Sequence, residues 1–336
     1  MIVKRDAILF IIFGMGILLA VVMNILYGAV KIPAADVISI FKGEVVENAA
    51  WSYIIESRFF RSIVAVFAGG ALSVAGLILQ VYFRNPLAGP GVLGITSGAS
   101  LGVAFVVLGG ASMSSVLGLF GIIGAGSAGA IAVLFLLLFI SRFIKSSVTL
   151  LVAGLMFGYF TAALINILYL SASMADTRAF VIWGLGSFEG LNSHELTIFS
   201  TGIIFLILCS FFLIKPLNGL VLGQDYSNSL GIHIKRTKFL IILITGVLAA
   251  IVTVYCGPIG FIGIAIPQLI RRMTKSKNHS VIIPLAFLGG AFLAILADIV
   301  VRLSGNTLPV NTVTALIGAP IIIWVIMNMN KRNAEI

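Results

Sequence analysis

The chain has 336 residues, 60% of them hydrophobic and only 10% charged, with a mean hydropathy of +1.19. Soluble domains carry about 25% charged residues, so this composition excludes a water-soluble globular protein and indicates an integral membrane protein. The formal net charge of +10 fits a bias of Lys and Arg toward one side of a membrane and does not predict nucleic-acid binding.

The apolar runs predict helices rather than a transmembrane barrel. Lipid offers the backbone no hydrogen bonds, so a spanning segment is a helix or part of a closed barrel. Barrel strands alternate apolar and polar residues, and runs such as 122–140 and 239–254 do not alternate. The first run follows Lys4 and Arg5, is longer than the apolar part of a signal peptide and lacks a small-residue cleavage site. We therefore interpret it as a retained span.

Ten spans fit this pattern and make one transmembrane domain over residues 1–336 with an all-α fold. A bilayer crossing takes about 20 apolar residues. The eighth run is too short to cross alone, so we expect a partly inserted or tight helix there. The predicted spans are 7–30, 60–82, 91–109, 116–140, 148–170, 195–214, 239–256, 258–271, 281–301 and 310–328.

Basic residues fix the orientation of these spans. Lys and Arg are enriched in short cytoplasmic loops. With an inside N-terminus, the basic residues of 235–238, 271–277 and 331–332 all fall inside, as do Arg84 and Arg142, and most acidic residues fall outside. We therefore predict that both the N-terminus and the C-terminus are cytoplasmic.

The sequence contains no motif for nucleotide binding, metal binding or catalysis. It has no G-x-x-x-x-G-K-[ST] phosphate loop, and His194, His233 and His279 fall on three separate segments that we expect at the surface. Cys209 and Cys256 lie in apolar runs without a C-x-x-C spacing. We therefore expect a transport subunit without enzyme activity, metal site or cofactor, and with no ATPase site of its own.

An ion-coupled secondary transporter is the alternative class. Such proteins place ionisable groups or broken helices near the middle of the bilayer. Asp298 is the acid that approaches a span interior here, and it lies one turn from Arg302. A membrane-embedded enzyme is disfavoured, because the sequence offers no nucleophile, acid–base pair or metal cluster. A transporter without coupling acids or a nucleotide motif needs an external motor.

Small residues recur one helical turn apart in several spans. In a membrane, such residues let helix backbones approach closely where no hydrophobic force drives association. They predict close helix contacts rather than a ligand site. The positions are Gly98 and Gly102, Gly154 and Gly158, and Gly121, Ala125 and Gly129.

Four segments resemble one family of transporters. Residues 58–102 read RFFRSIVAVFAGGALSVAGLILQVYFRNPLAGPGVLGITSGASLG, which resembles the signature region of the iron-siderophore, haem and cobalamin permeases of ABC importers. Residues 257–272 read GPIGFIGIAIPQLIRR and resemble the second signature of that family. Residues 308–320 resemble its last span, and residues 218–236 resemble its cytoplasmic coupling segment. The segments follow the family's order and spacing and cover nearly the whole chain.

This resemblance implies a type II ABC importer permease in a bacterial cytoplasmic membrane. In that architecture two permeases, copies or paralogues, pair around a path along their interface. Two ATP-binding cassette subunits dock on the cytoplasmic side, and a substrate-binding protein docks outside. The cargo we predict is a ferric siderophore or a related iron chelate, with haem and cobalamin as alternatives. Gln268 departs from the family, which commonly has His after this proline, and we interpret the change as a difference in packing.

Three arginines are expected on the outer face, which is normally poor in positive charge. Arg58 and Arg61 lie at the outer end of the second span, and Arg302 lies at the outer end of the ninth. The family docks its binding protein through arginines at matching positions, so the resemblance implies the same here. The alternative is anchoring at the headgroup level, with Arg302 neutralising Asp298 four residues earlier.

Two short inner segments match the cytoplasmic gate of the family. In the loop 84–90, Pro86 and Pro90 forbid a continuous helix, and Gly89 permits an unusual backbone conformation. The positions matching the gate are Asn85, Leu87, Ser146 and Ser147. A tight turn between spans is the simpler interpretation of the first segment, and the gate is added to it.

The longest predicted cytoplasmic loop is 215–238, and it alternates apolar and polar stretches. One or two short helices with an apolar face would fit a groove on a partner, whereas the alternative is a helix lying on the membrane surface. Because the chain has no motor, we favour coupling to the ATPase. The coupling residues we predict are Leu220, Leu222 and Leu230, with Gly223 and Gly231 ending or separating the helices.

Overall fold

The computed structural model describes residues 2–28, 30–44, 46, 48–110, 116–144 and 146–333. Residue 29, within the first predicted span, and residues 1 and 334–336 of the predicted domain lie outside this set. Within the described residues the regular structure is helical, with no strand, as the composition predicts. The α-helices are α1 Ile2–Leu26, α2 Ala34–Phe41, α3 Ala49–Phe83, α4 Ile95–Val107, α5 Val116–Ser141, α6 Ser147–Ser171, α7 Met174–Gly184, α8 Ser193–Ser210, α9 Ile214–Leu222, α10 Gln224–Ser229, α11 Ile234–Cys256, α12 Ile262–Met273, α13 His279–Leu303 and α14 Val310–Asn333.

Each of the ten predicted spans overlaps a helix. By length and apolar composition, seven stretches among the described residues are able to cross a membrane, and they lie in α1, α3, α5, α6, α8 with α9, α11 and α13. The apolar parts of α4 and α14 are shorter, and α12 has only 12 residues, as the short eighth run predicts. The all-α membrane fold is confirmed, whereas the count of ten crossings is not.

Helix α3 forms the centre of the bundle. It starts at Ala49, earlier than predicted, because the side chain of Asn48 accepts a hydrogen bond from the Ala50 amide and caps the helix. Within its most apolar stretch 83% of the residues are buried, against 28% in α1 and 17% in α6. Helices α1, α11, α12 and α13 pack around it. The outward faces of α1 and α6 are therefore available to lipid or to other subunits.

Close helix contacts at glycine are confirmed where α4 meets α5. A Cβ on Gly98 would lie 2.7 Å from the Gly129 carbonyl oxygen, and a Cβ on Gly102 would collide with the Ala125 carbonyl oxygen. A Cβ on Gly154 would lie 2.9 Å from the Cα of Leu93. Any larger side chain at these positions would force the helices apart.

Hydrogen bonds join helix ends that the charge bias predicts to lie on the same side of the membrane. At one end, Thr274 Oγ1 after α12 donates to Asp6 Oδ1 of α1 at 2.6 Å, and Lys238 of α11 donates to the Ile144 carbonyl at 2.9 Å. At the other end, Arg58 of α3 donates to the Val30 carbonyl at 2.6 Å. The first group is the predicted cytoplasmic end, and the second is the predicted outer end.

Candidate functional site

Arg58 caps the C-terminus of α1, at the outer end of the bundle. Its side chain is only 5% exposed, and its guanidinium donates to the Ile25 carbonyl at 2.9 Å and to the Val30 carbonyl at 2.6 Å. The last carbonyls of a helix have no partner within the helix and carry partial negative charge. A guanidinium there satisfies them, so Arg58 ties α3 to the C-terminus of α1.

Arg61 neutralises a buried acid. Asp298 is fully buried, and its two carboxylate oxygens accept from Arg61 Nε at 2.6 Å and from Asn24 Nδ2 at 2.7 Å. Arg61 also forms an ion pair with Glu189, in the loop between α7 and α8. Arg302 donates to the Asn24 side chain at 2.6 Å, so it reaches Asp298 through Asn24, whereas Arg61 is the arginine in direct contact with the carboxylate.

These side chains form an outer polar cluster made of Asn24, Arg58, Arg61, Glu189, Asp298 and Arg302. A surface cavity is lined by the three arginines together with Glu189 and Asn306, and Arg61 Nη1 lies 3.4 Å from Asn306 Oδ1. Three guanidinium groups face two carboxylates, so the cluster keeps an excess of positive charge. Sequence reasoning missed Asn24 and the pairing of Glu189 with Arg61. A lone amide in the apolar run 7–30 was a usable signal, because polar groups in spans have partners.

The loop 84–90 is a tight turn, as predicted. The Asn85 side chain accepts from the Leu87 amide at 2.9 Å, and the Asn85 carbonyl accepts from the Ala88 amide at 3.1 Å. Leu87 is 45% exposed, and Ala88 is buried. Gly89 does not use the conformational freedom of glycine, since it is extended at φ −134°, whereas Arg84 takes φ +49°.

Helix α12 supports this loop. Gln268 Nε2 donates to Gln80 Oε1 at 2.8 Å and to the Pro86 carbonyl at 3.3 Å, while Gln80 Nε2 donates to the Ile264 carbonyl at 3.1 Å. A Cβ on Gly89 would lie 2.7 Å from Ile264 Cγ1, which explains the glycine as a close approach. Gln268 is therefore a polar link between α3, the loop and α12, and not only a change in packing.

The second predicted gate segment begins α6. Ser146 is the N-terminal cap of this helix, and its hydroxyl accepts from the Thr149 amide at 3.3 Å. Ser147 is the first helical residue and is half-buried. About two turns farther on, Gly154 of α6 packs against Val92 and Leu93, which follow the loop 84–90. The two gate segments thus belong to neighbouring elements at the cytoplasmic end.

The coupling segment folds as two short helices, as predicted. Gly223, at φ +131°, ends α9 and precedes α10, and Gly231, at φ +73°, follows α10 in the turn toward α11. Leu222 is 66% exposed and Leu230 is 44% exposed, whereas Leu220 is 3% exposed. Leu220 packs into the core of the bundle and does not share the exposed apolar face.

Helix α9 is joined to the start of α13 by polar contacts. Asn218 Oδ1 accepts from the His279 amide at 3.0 Å and lies 2.7 Å from His279 Nδ1. Asn218 Nδ2 donates to the Asn278 side chain at 3.0 Å. The expectation that His279 is at the surface is wrong, because α9 covers it and leaves it 2% exposed.

Comparisons with known proteins identify the family. The model of the FecCD transport family matches residues 16–328. The chain is 31% identical to the hemin transport system permease protein HmuU of Yersinia pestis, over 85% of this chain and 86% of that one. It is 34% identical to the vitamin B12 import system permease protein BtuC of Klebsiella pneumoniae, over 95% and 94%.

A solved structure has the same fold. It is an inward-facing conformation of a transporter assigned to the metal-chelate type of ABC transporters. The TM-score is 0.83 at 27% sequence identity, and the match covers 96% of this chain and 99% of that one. The chain therefore belongs to the FecCD transport family and is a multi-pass permease of an ABC importer in the bacterial inner membrane.

Proposed function

We propose that this permease imports a ferric siderophore, as one half of a permease pair. Two ATP-binding cassette subunits drive the pair, and a substrate-binding protein supplies it. The family match over residues 16–328 carries the proposal. The relatives named for hemin and vitamin B12 and the metal-chelate type of the similar structure support a large metal-containing cargo. Ferric siderophores are the broadest group of such cargoes in the family, which favours them here.

The ATPase docks on the coupling segment 215–238. Leu222 and Leu230 are the predicted coupling residues that are exposed. Val221, at 55%, and Tyr226, at 49%, are exposed beside them. Burying one leucine side chain contributes about 1.5–3 kcal/mol, so these two residues make a substantial contribution to the docking of a partner subunit. Leu220 is buried and fixes α9 to the bundle. Gly223 ends α9 and Gly231 follows α10, so the segment stays compact.

The binding protein docks on the outer polar cluster. Arg58, Arg61 and Arg302 carry more positive charge than the cluster neutralises, which suits acidic side chains on a partner. Arg58 and Arg61 are each only 5% exposed, so docking requires an exchange of contacts. Glu189 is the partner that is free to leave, since 48% of its side chain is exposed. A carboxylate of the binding protein then takes its place on Arg61.

The second permease packs against outward apolar faces and completes the gate. Tyr159 of α6 is 71% exposed, and Leu316 of α14 is 66% exposed. Such side chains face lipid or a second subunit. In the pair, Asn85 and Leu87 of one chain with Ser146 and Ser147 close the cytoplasmic end of the path.

Transport in proteoliposomes tests the proposal. The permease is reconstituted with its cognate ATPase and binding protein, and a ferric hydroxamate, hemin and cyanocobalamin are offered as cargoes. We expect uptake of the ferric hydroxamate only when ATP and all three components are present. Uptake of hemin or cyanocobalamin instead would overturn the cargo. Uptake driven by an ion gradient without the ATPase would overturn the mechanism.

A further inference from the structure

Arg84 joins the coupling segment to the loop 84–90. It is the first residue after α3, and its Nη2 donates to the Leu220 carbonyl, at the end of α9, at 3.3 Å. The last carbonyls of a helix carry partial negative charge, and a guanidinium is a suitable donor to them. The same residue therefore belongs by its backbone to the loop and by its side chain to the coupling segment.

The backbone of Arg84 has a conformation that is unfavourable for any residue with a Cβ. Its φ of +49° and ψ of +34° lie in the left-handed region, where a residue with a Cβ is disfavoured by about 1–2 kcal/mol. Glycine is the residue that ends a helix this way without strain. An arginine held here points to a function of its side chain, since strained backbone persists where the surrounding structure over-determines it.

The far side of the same loop is held by α12. Gln268 donates to the Pro86 carbonyl at 3.3 Å, and the Gly89 backbone lies too close to Ile264 for any larger residue. The loop is therefore fixed at one end to α9 and at the other to α12. When α9 moves, the bond from Arg84 pulls the loop with it. The contacts with α12 hold the other end of the loop in place.

We propose that Arg84 is the positioning residue that transmits movement of the ATPase-coupled helix α9 to the gate loop 84–90. This inference rests on the proposed function, in which the coupling segment binds the ATPase and Leu87 belongs to the gate. The bond to the Leu220 carbonyl makes the loop follow α9. Without it the loop follows α12 alone, and the gate no longer responds to the nucleotide state of the ATPase.

The test measures the response of the loop and needs no cargo. Leu87→Cys is introduced with Cys209→Ser and Cys256→Ala, and the assembled complex is labelled with a membrane-impermeant maleimide. Labelling is compared without nucleotide and with ATP plus vanadate. We expect nucleotide to change the labelling rate with Arg84 present. Arg84→Gly relieves the backbone strain and removes the bond, and it reduces that change about fivefold, the size expected for one hydrogen bond.

Two further variants keep the test decisive. Arg84→Asn tolerates the left-handed backbone but is too short to reach Leu220, and it is expected to behave like Arg84→Gly. Arg142→Gly removes an exposed arginine from the next cytoplasmic loop and is expected to leave the response intact. ATPase recovery with the Arg84 variants stays normal, which a general defect in folding would not allow.

The outcomes separate the inference from the function on which it rests. If Arg84→Gly and Arg84→Asn respond to nucleotide as the parent complex does, the inference is wrong while the coupling proposal stands. If Leu222→Asp retains the ATPase and the full response, the coupling proposal is wrong. If the parent complex shows no response at Leu87→Cys, the gate assignment is wrong and the inference falls with it.

Discussion

At the outer end of the bundle charged side chains are buried and paired, whereas at the cytoplasmic end apolar side chains are exposed. Arg61 and Asp298 are 5% and 0% exposed, while Leu222 and Leu230 are 66% and 44% exposed. Burial of a charge is unfavourable unless the charge is paired, and exposure of leucine is unfavourable in water. Charged side chains are usually exposed and leucines are usually buried, so the outer end departs from this rule by burying charge and the cytoplasmic end by exposing leucine.

The two ends differ in whether these side chains find their partners within the chain. The outer polar cluster finds its partners in α1, α3, α13 and the loop before α8, so it stabilises the isolated permease. The coupling face has no such cover within the described residues, and we propose that the ATPase provides it. Substitutions at the outer end should therefore affect folding, and those at the cytoplasmic face should affect assembly.

Arg61→Gln is expected to have the largest effect on folding. It leaves the Asp298 carboxylate buried without its cation, which costs about 3–5 kcal/mol of unfolding free energy. The melting temperature of the purified permease should drop strongly. The double variant Arg61→Leu with Asp298→Leu should recover most of the loss, and Arg178→Gln, on the exposed face of α7, should be neutral. A neutral Arg61→Gln would show that the ion pair contributes little.

The next comparison uses two leucines of the same helix. Leu220→Ala removes a buried side chain and should lower the unfolding free energy of the permease by about 2–5 kcal/mol. Leu222→Ala removes an exposed side chain and should leave the permease alone unchanged. Thermal unfolding of both variants without the ATPase measures the difference. Equal losses would mean that α9 does not present two distinct faces.

This pair of leucines also shows what the sequence was able to predict. The apolar runs, the charge bias and the glycines of 215–238 predicted the helices, their orientation and the break at Gly223, because these depend on local composition. The sequence did not separate Leu220 from Leu222, since the packing of α9 on the bundle decides which one is covered. The pairing of Arg61 with Asp298 was missed for the same reason, because it joins residues 237 apart in the chain.

Gln268→Leu is expected to have an intermediate effect. It removes the donor to Gln80 and to the Pro86 carbonyl and should cost about 1–3 kcal/mol, the range for a buried group left without a partner. Gln268→His keeps a donor and should cost less. Thermal unfolding compares the two variants, and equal losses would show that volume rather than hydrogen bonding matters at this position.

Glu189→Gln should produce the smallest change. Glu189 is 48% exposed, and the amide oxygen of glutamine is still able to accept from Arg61, so the fold should change by no more than about 1 kcal/mol. In the proposed exchange of contacts, a carboxylate of the binding protein replaces Glu189 on Arg61, so the variant should bind the cognate binding protein up to about fivefold more tightly, and less so at high salt. Glu195→Gln, in the adjacent helix α8, is the matched control. Weaker binding by Glu189→Gln would contradict the exchange of contacts.

Recovery of the ATPase with Leu222→Asp shows directly whether the coupling segment binds the ATPase. The permease is purified through its own tag from cells that express the cognate ATPase, and the amount of ATPase per permease is measured beside the melting temperature of the permease alone. We expect a normal melting temperature and at least a tenfold loss of ATPase, because burying a charge in an apolar groove is strongly unfavourable. Normal recovery of the ATPase with Leu222→Asp and also with Leu230→Asp would contradict it.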